Sequence, residues 1–98
     1  MAEAAERGVP AALVLSGGLG QGPGSIAEAI EAAARAKGMR LVGPCSVGLI
    51  APHARLNASV SAHQPLPGDL ALVSQSGAVA AGLVEWGVSR SIGFSGVV

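Results

Sequence analysis

The chain has 98 residues, half of them hydrophobic and 12% charged, and its six basic and six acidic side chains cancel. That length gives one small domain or pieces of two. With no basic stripe, and with Trp86 and Phe94 as the two aromatic residues, nothing in it suits a nucleic acid. Cys45 is the single cysteine, which excludes an internal disulfide and a cysteine metal cluster and fits a reducing cytoplasm. Alanine, valine and leucine dominate the apolar set, as in α/β proteins that pack alanine-rich helices on valine- and leucine-rich strands. The apolar runs are far shorter than a membrane span.

Ala2–Arg7 reads as the end of a helix stopped by Gly8 and Pro10, and it lacks the apolar core of a signal peptide. So short a first helix suggests that an earlier part of the fold precedes it. Ala11–Leu15 is a short buried strand. Its carboxyl end runs into the loop Ser16–Gly24, where open α/β sheets bind ligands. Gly22-Pro23-Gly24-Ser25-Ile26-Ala27 fits G-x-G-x-x-A. Its first glycine lies well past the strand, however, and no acidic residue follows about 20 positions on, so a flexible connection is the better reading than a nicotinamide fingerprint.

Ser25–Lys37 is a helix opened by the capping box Ser25-x-x-Glu28, with Ile26, Ala29, Ile30 and Ala33 as its expected buried face. Arg35 and Lys37 suit the negative end of its dipole, and Gly38 suits the left-handed position that follows. Met39–Val42 is the next strand, and Gly43–Gly48 forms a second turn at a strand's carboxyl end. Within that turn Cys45 is either a thiol near a ligand or a small buried residue; the second is favoured, since no base lies near it in sequence. Leu49–Pro52 is apolar, Leu56, Ala58 and Val60 alternate as a short edge strand, and 62–68 reads as a linker at a domain boundary. His53 and His63 fall in loops without a partner at metal or relay spacing, so no metal site is expected.

The stretch from Asp69 to Trp86 reads as strand, turn and helix. Leu70–Val73 has the unbroken apolar run of a strand buried on both faces. Ser74-Gln75-Ser76-Gly77 is the turn, and Val79, Leu83 and Trp86 mark one helix face. A helix that opens behind a strand aims unpaired amides and the positive end of its dipole at the sheet edge, which favours an anion such as phosphate. Similar turns also occur without ligands, and the turn alone leaves both readings open. After Gly87–Ser91 a further strand starts at Ile92 and runs to Val98. We expect both ends to be cut, leaving Ala11–Leu15 and Phe94–Val98 as unpaired apolar edges that self-associate.

Three phrases in order carry a family resemblance. Arg40-Leu-Val-Gly-Pro-Cys-Ser-Val-Gly-Leu-Ile-Ala-Pro52 resembles the R-x-V-G-P-N-C-x-G-x-I-x-P segment of NDP-forming acyl-CoA synthetases, with the family's Asn-Cys replaced by Cys45-Ser46. Leu56-Asn57-Ala58 and Pro67–Ala78 resemble that family's L-N-A and P-G-x-I-A-L-V-S-Q-S-G-A, and Trp86 and Ile92-Gly93-Phe94-Ser95 fall at its D-W and I-G-F-S. The family includes the succinyl-CoA synthetase alpha subunit. The resemblance implies an α/β fold: the second half of a Rossmann-like parallel sheet over residues 1–64, then the first strand–helix–strand of a flavodoxin-like ligase domain over residues 65–98.

It further implies that Ser16, Gly17 and Gly18, with Pro44, Cys45 and Ser46, lie against CoA, and that Ser74, Gln75, Ser76, Gly77 and Ala78 cradle phosphate. The family interconverts acyl-CoA, phosphate and a nucleoside diphosphate with acid, CoA and a nucleoside triphosphate through a phosphohistidine. That histidine falls after Val98, so no catalytic nucleophile is expected here. ATP or ADP and Mg belong to the complete enzyme, whose ATP-grasp domain or beta subunit is the expected partner. The alternative implied reading is a non-catalytic CoA-binding region of a synthetase–acetyltransferase fusion.

Overall fold

The computed structural model describes residues 1–98, which form two compact units, Met1–Ser46 and Val47–Val98. The division falls ahead of the linker 62–68 because a hairpin at 48–59 shares its sheet with later strands.

In the first unit, α1 (Ala2–Glu6) precedes β1 (Ala11–Leu13), α2 (Ile26–Ala36) and β2 (Arg40–Val42). β1 and β2 pair in parallel with Ala12 opposite Leu41, and the Val14 amide continues the ladder to the Val42 carbonyl at 2.9 Å. This is the Rossmann-like strand–helix–strand order expected. Ser25 caps α2 by accepting from the Glu28 amide at 3.1 Å. The Glu28 carboxylate returns to the Gly24 amide at 2.6 Å, one residue ahead of the cap, because the Ser25 amide is already bonded to the Gly22 carbonyl. α2 leaves through Gly38 at φ +67°: the Gly38 amide bonds the Arg35 carbonyl, and the Met39 amide bonds that of Ala34. Ala34 and Met39, brought together by this turn, form the core of the unit with Ala5.

The expected buried face of α2 is corrected by one position. Ile26 is 61% exposed and Ala29 is exposed, whereas Ala27 and Ala34 are buried and Ile30 and Ala33 are half-buried. Ile26 stands at the first helical position, where the turn swings it off the stripe that faces α1 and β2.

In the second unit, β3 (Gly48–Ala51), a 3-10 turn at Pro52–Ala54, and β4 (Leu56–Ser59) form an antiparallel hairpin. β5 (Pro67–Leu72), α3 (Gly77–Ser89) and β6 (Phe94–Val97) follow, and the sheet order is β4-β3-β6-β5. β5 and β6 are parallel; β3 meets β6 antiparallel with Ile50 opposite Val97. β5 carries an irregularity at its start, where both Pro67 and Leu70 face Phe94. Gly68 and Gly93 make that kink fit, since a Cβ at Gly68 would lie 2.6 Å from the Gly93 Cα. Ile50, Val84, Phe94 and Val97, with Leu72 against them, form the core.

Two expectations fail here for one reason. β5 is an edge strand covered on one face, with Leu70 48% exposed and Val73, just past its end, 81% exposed, rather than a strand buried on both. Phe94–Val97, expected to be an unpaired edge, is instead an interior strand, paired on both sides and supplying the most buried aromatic side chain. A continuous apolar run reports total hydrophobicity, not sheet position, and an edge strand next to a helix can carry the same run. No helix of the chain is long and apolar enough to cross a membrane.

Candidate functional site

The loops that the sequence singles out each follow a parallel strand at its carboxyl end, those after β1 and β2 in the first unit and that after β5 in the second. In the first unit, the loop after β1 and the turn after β2 meet at that edge. The Cys45 amide donates to the Ser16 carbonyl at 2.9 Å, and a Cβ on Gly17 would lie 3.2 Å from the Cys45 Sγ. Gly43 makes the approach possible. Its φ is +89°, and a side chain there would run into the Val14 carbonyl oxygen. Cys45 itself sits at φ +59° with its thiol free and exposed, so the expected small buried role does not hold.

A cleft of about 690 Å³ opens at this edge. Gly17, Gly18, Pro44 and Cys45 of the expected CoA set line it; Ser16 reaches it through the bond to Cys45, and Ser46 lies outside its lining. The glycine-rich loop forms its other wall. That loop folds back onto the start of α2, where the Ala27 amide bonds the Leu19 carbonyl at 3.1 Å. The sequence reading did not foresee Glu28 and Glu31 in the lining, yet their spacing of three on a helix already sets both on one face. The lining holds these two carboxylates and no lysine or arginine, so it suits an uncharged, hydrogen-bonding part of a ligand better than a polyphosphate.

In the second unit, the turn between β5 and α3 is held by its own serines. The Ser74 hydroxyl donates to the Ser76 carbonyl at 3.1 Å and accepts from the Ser76 amide at 3.0 Å. The Ser74 amide is fixed by the Val98 carbonyl at 2.9 Å. Ser76 caps α3 by accepting from the Val79 amide at 3.4 Å, which leaves the amides of Gly77 and Ala78 without a partner in the chain. Gln75, Ser76 and Ala78 are exposed, so the tip is open to solvent on that side. On the other side it rests on Val47, which a Cβ at Gly77 would strike; the glycine is there for packing as well as for its bare amide. Ser74, Gln75, Ser76, Gly77 and Ala78 thus form one open turn with two free donors at the positive end of a 13-residue helix.

The expected helix face is again displaced. Val79, Leu83 and Trp86 are 52%, 41% and 46% exposed, and Ala80, Val84 and Gly87 lie against the sheet. Gly87 is required there, because a Cβ would approach the Phe94 ring to 2.5 Å. His53 is exposed, and its Nε2 lies 3.0 Å from the Gly68 carbonyl as a donor, a bond that ties the 3-10 turn to β5.

Both halves place their ligand-ready turns beyond the carboxyl ends of parallel strands, the arrangement of α/β ligand-binding proteins. No protein-family model matches the chain. It is 37% identical over 99 residues, 98% of its length, to the alpha subunit of ADP-forming acetate–CoA ligase I of Pyrococcus furiosus, of which it covers 21%. It is 36% identical over 100 residues to ADP-forming acetate–CoA ligase I of Archaeoglobus fulgidus, covering 98% of this chain and 14% of that one. The solved structure of a dinucleotide-forming acetyl-coenzyme A synthetase 1 from Ca. Korarchaeum cryptofilum, in complex with phosphate and ADP, superposes with a TM-score of 0.84 at 34% identity, over 97% of this chain and 21% of that one. In sequence and fold the chain matches a fragment of NDP-forming acyl-CoA synthetases, and it spans about a fifth of the length of the alpha subunit and the solved structure that it matches.

Proposed function

We propose that the chain is the part of an ADP-forming acid–CoA ligase that presents one end of CoA in the first unit and a phosphoryl group in the second. The reaction would interconvert acyl-CoA, phosphate and a nucleoside diphosphate with the free acid, CoA and a nucleoside triphosphate, through a phosphohistidine supplied by another part of such an enzyme. On this reading residues 1–64 continue a CoA-binding domain and 65–98 open the ligase domain. Ser16, Gly17, Gly18, Pro44, Cys45 and Ser46 are assigned to CoA. Because the cleft lining carries no cation, the part of CoA they meet is its neutral thiol-bearing arm. Ser74, Gln75, Ser76, Gly77 and Ala78 are assigned to phosphate.

The observation that carries this reading is the pair of free amides at Gly77 and Ala78. Donors fixed before charge arrives stabilise a transferring phosphoryl group without reorganising. Titration of the isotopically labelled chain with inorganic phosphate tests it. Amide resonances of 76–79 move in a saturable way if the turn is a phosphate site, and unmoved resonances would remove the support. A companion measurement follows alkylation of Cys45, which CoA slows if it occupies the cleft.

A further inference from the structure

Nothing in the chain bonds the Gly77 and Ala78 amides, so their place is set by what holds the residues around them. Three contacts locate this turn. The Ser74 amide is fixed to the Val98 carbonyl at 2.9 Å. Ser76 is braced by Ser74, and its carbonyl closes the first helical turn by accepting from the Ala80 amide at 3.0 Å. Gly77 itself meets Val47. Of the atoms that a Cβ on Gly77 would approach, the three nearest all belong to that side chain, its Cγ1 first and its Cβ and Cγ2 at 3.7 and 4.0 Å.

Val47 is built to be a stop. Its carbonyl accepts from the Val60 amide at 2.9 Å, and the next residue, Gly48, pairs with Ser59 so closely that a Cβ there would meet the Ser59 Cβ at 2.7 Å. The backbone behind the side chain is therefore pinned to β4. A β-branched residue has few χ1 choices, so the methyl is held nearly as firmly as the backbone. It is also apolar, and takes no hydrogen bond from the amides of 77 and 78.

We infer that Val47 is a positioning residue for the phosphate turn: its Cγ1 methyl is the stop that sets the height of the first turn of α3, and so where the Gly77 and Ala78 donors lie. The inference rests on the phosphate reading above. A charge-assisted N–H···O bond is made at about 2.7–2.9 Å, so lifting the tip by a fraction of a methyl's width weakens both donors together. Glycine is needed at 77 because any side chain would lift the tip off this stop.

The experiment is a double-variant cycle on the isotopically labelled full chain, with inorganic phosphate as the probe and the amide resonances of 77 and 78 as the readout. Gly77→Ala keeps the amide and meets no left-handed strain, yet it drives a methyl into Val47, and phosphate affinity should fall about tenfold. Val47→Ala withdraws the stop and should lose a similar factor. The two together should recover most of the loss, because the new methyl fills the space that the old one left. Val47→Ile keeps the Cγ1 and has room for its extra methyl in the apolar cavity of about 70 Å³ that Val47 lines with Ile50, Ala80 and Val84; it should bind like the unaltered chain.

Affinity is read on the folded population, with unfolding followed separately by Trp86 fluorescence. Single variants that lose stability yet bind phosphate as tightly as the unaltered chain, or losses that simply multiply in the double variant, overturn the role of Val47 and leave the phosphate reading standing. An unaltered chain whose amides phosphate does not move overturns that reading, and the role of Val47 with it. Should Val47→Ala not fold, the other two single variants decide: unchanged affinity in Gly77→Ala overturns the inference, and a loss there with Val47→Ile unaffected supports it.

Discussion

The chain builds a parallel strand, a helix and a second parallel strand twice, and both helices leave by the same hydrogen-bonded turn. In α2 the Met39 amide reaches the Ala34 carbonyl across Gly38; in α3 the Ile92 amide reaches the Gly87 carbonyl across Ser91. What differs is where the strength lies. The second unit buries Phe94, Val84, Ile50 and Val97 together, whereas the first buries Ala5, Ala34 and Met39 and contains no aromatic side chain. The first unit instead invests its residues in a cleft walled by glycine. A loop of glycines can wrap a ligand closely, but it contributes little apolar burial to hold itself. The turn of the second unit is short, braced by Ser74 and Ser76, and stands on a packed core. One unit is shaped to enclose, the other to hold two donors still.

This contrast is exposed to measurement, first through the cores. Phe94→Ala should cost about 3–5 kcal/mol, enough to unfold the second unit, read by denaturant titration of Trp86 fluorescence. If it costs under about 1 kcal/mol, the stronger core is not where we place it. Gly43→Ala meets left-handed strain of roughly 1–2 kcal/mol and in addition the Val14 carbonyl. It should melt the cleft edge, raising amide exchange at 11–17 and 40–46. In the unaltered chain, amides of β1 and β2 should exchange sooner than those of β3 and β6, since little apolar burial protects them. The reverse order would erase the distinction.

Smaller effects sharpen it. Ser25→Ala should cost about 1 kcal/mol, and Ser76→Ala less, because the cap bond of α3 is the longer one and Ser74 still braces its turn. Ser91→Gly should stabilise by about 0.5–1 kcal/mol, because a serine now holds φ +57° where α2 has glycine. A null result there would show that the Ser91 conformation is not strained.

Local chemistry was legible in the sequence. Ser25, Glu28, Gly38 and the hydroxyls of Ser74 and Ser76 act through hydrogen bonds to residues within five positions, so spacing alone announces them. The candidate phosphate turn could be read for that reason, and the candidate CoA set could be read only through family likeness. Which face of each helix is buried was not legible, because α3 is apolar on nearly every side. Val79, Leu83 and Trp86 have the spacing of a buried stripe, as do Ala80, Val84 and Gly87, and the second set faces the sheet because Gly87 lets the helix approach the Phe94 ring. Glu28 and Glu31 likewise became cleft walls only when the loop at 16–24 folded back over α2.

By itself, then, the amino-acid order determined where the helices start and stop, which turns carry glycine or serine, and that the chain is α/β. Tertiary structure decided that β6 is interior and β5 an edge, that Cys45 is exposed, and that a small apolar cavity lies beside the free amides of α3. Caps and turns are set by bonds between near neighbours. Burial and cavities depend on how distant side chains of particular volumes meet, and no periodicity in one segment contains that information.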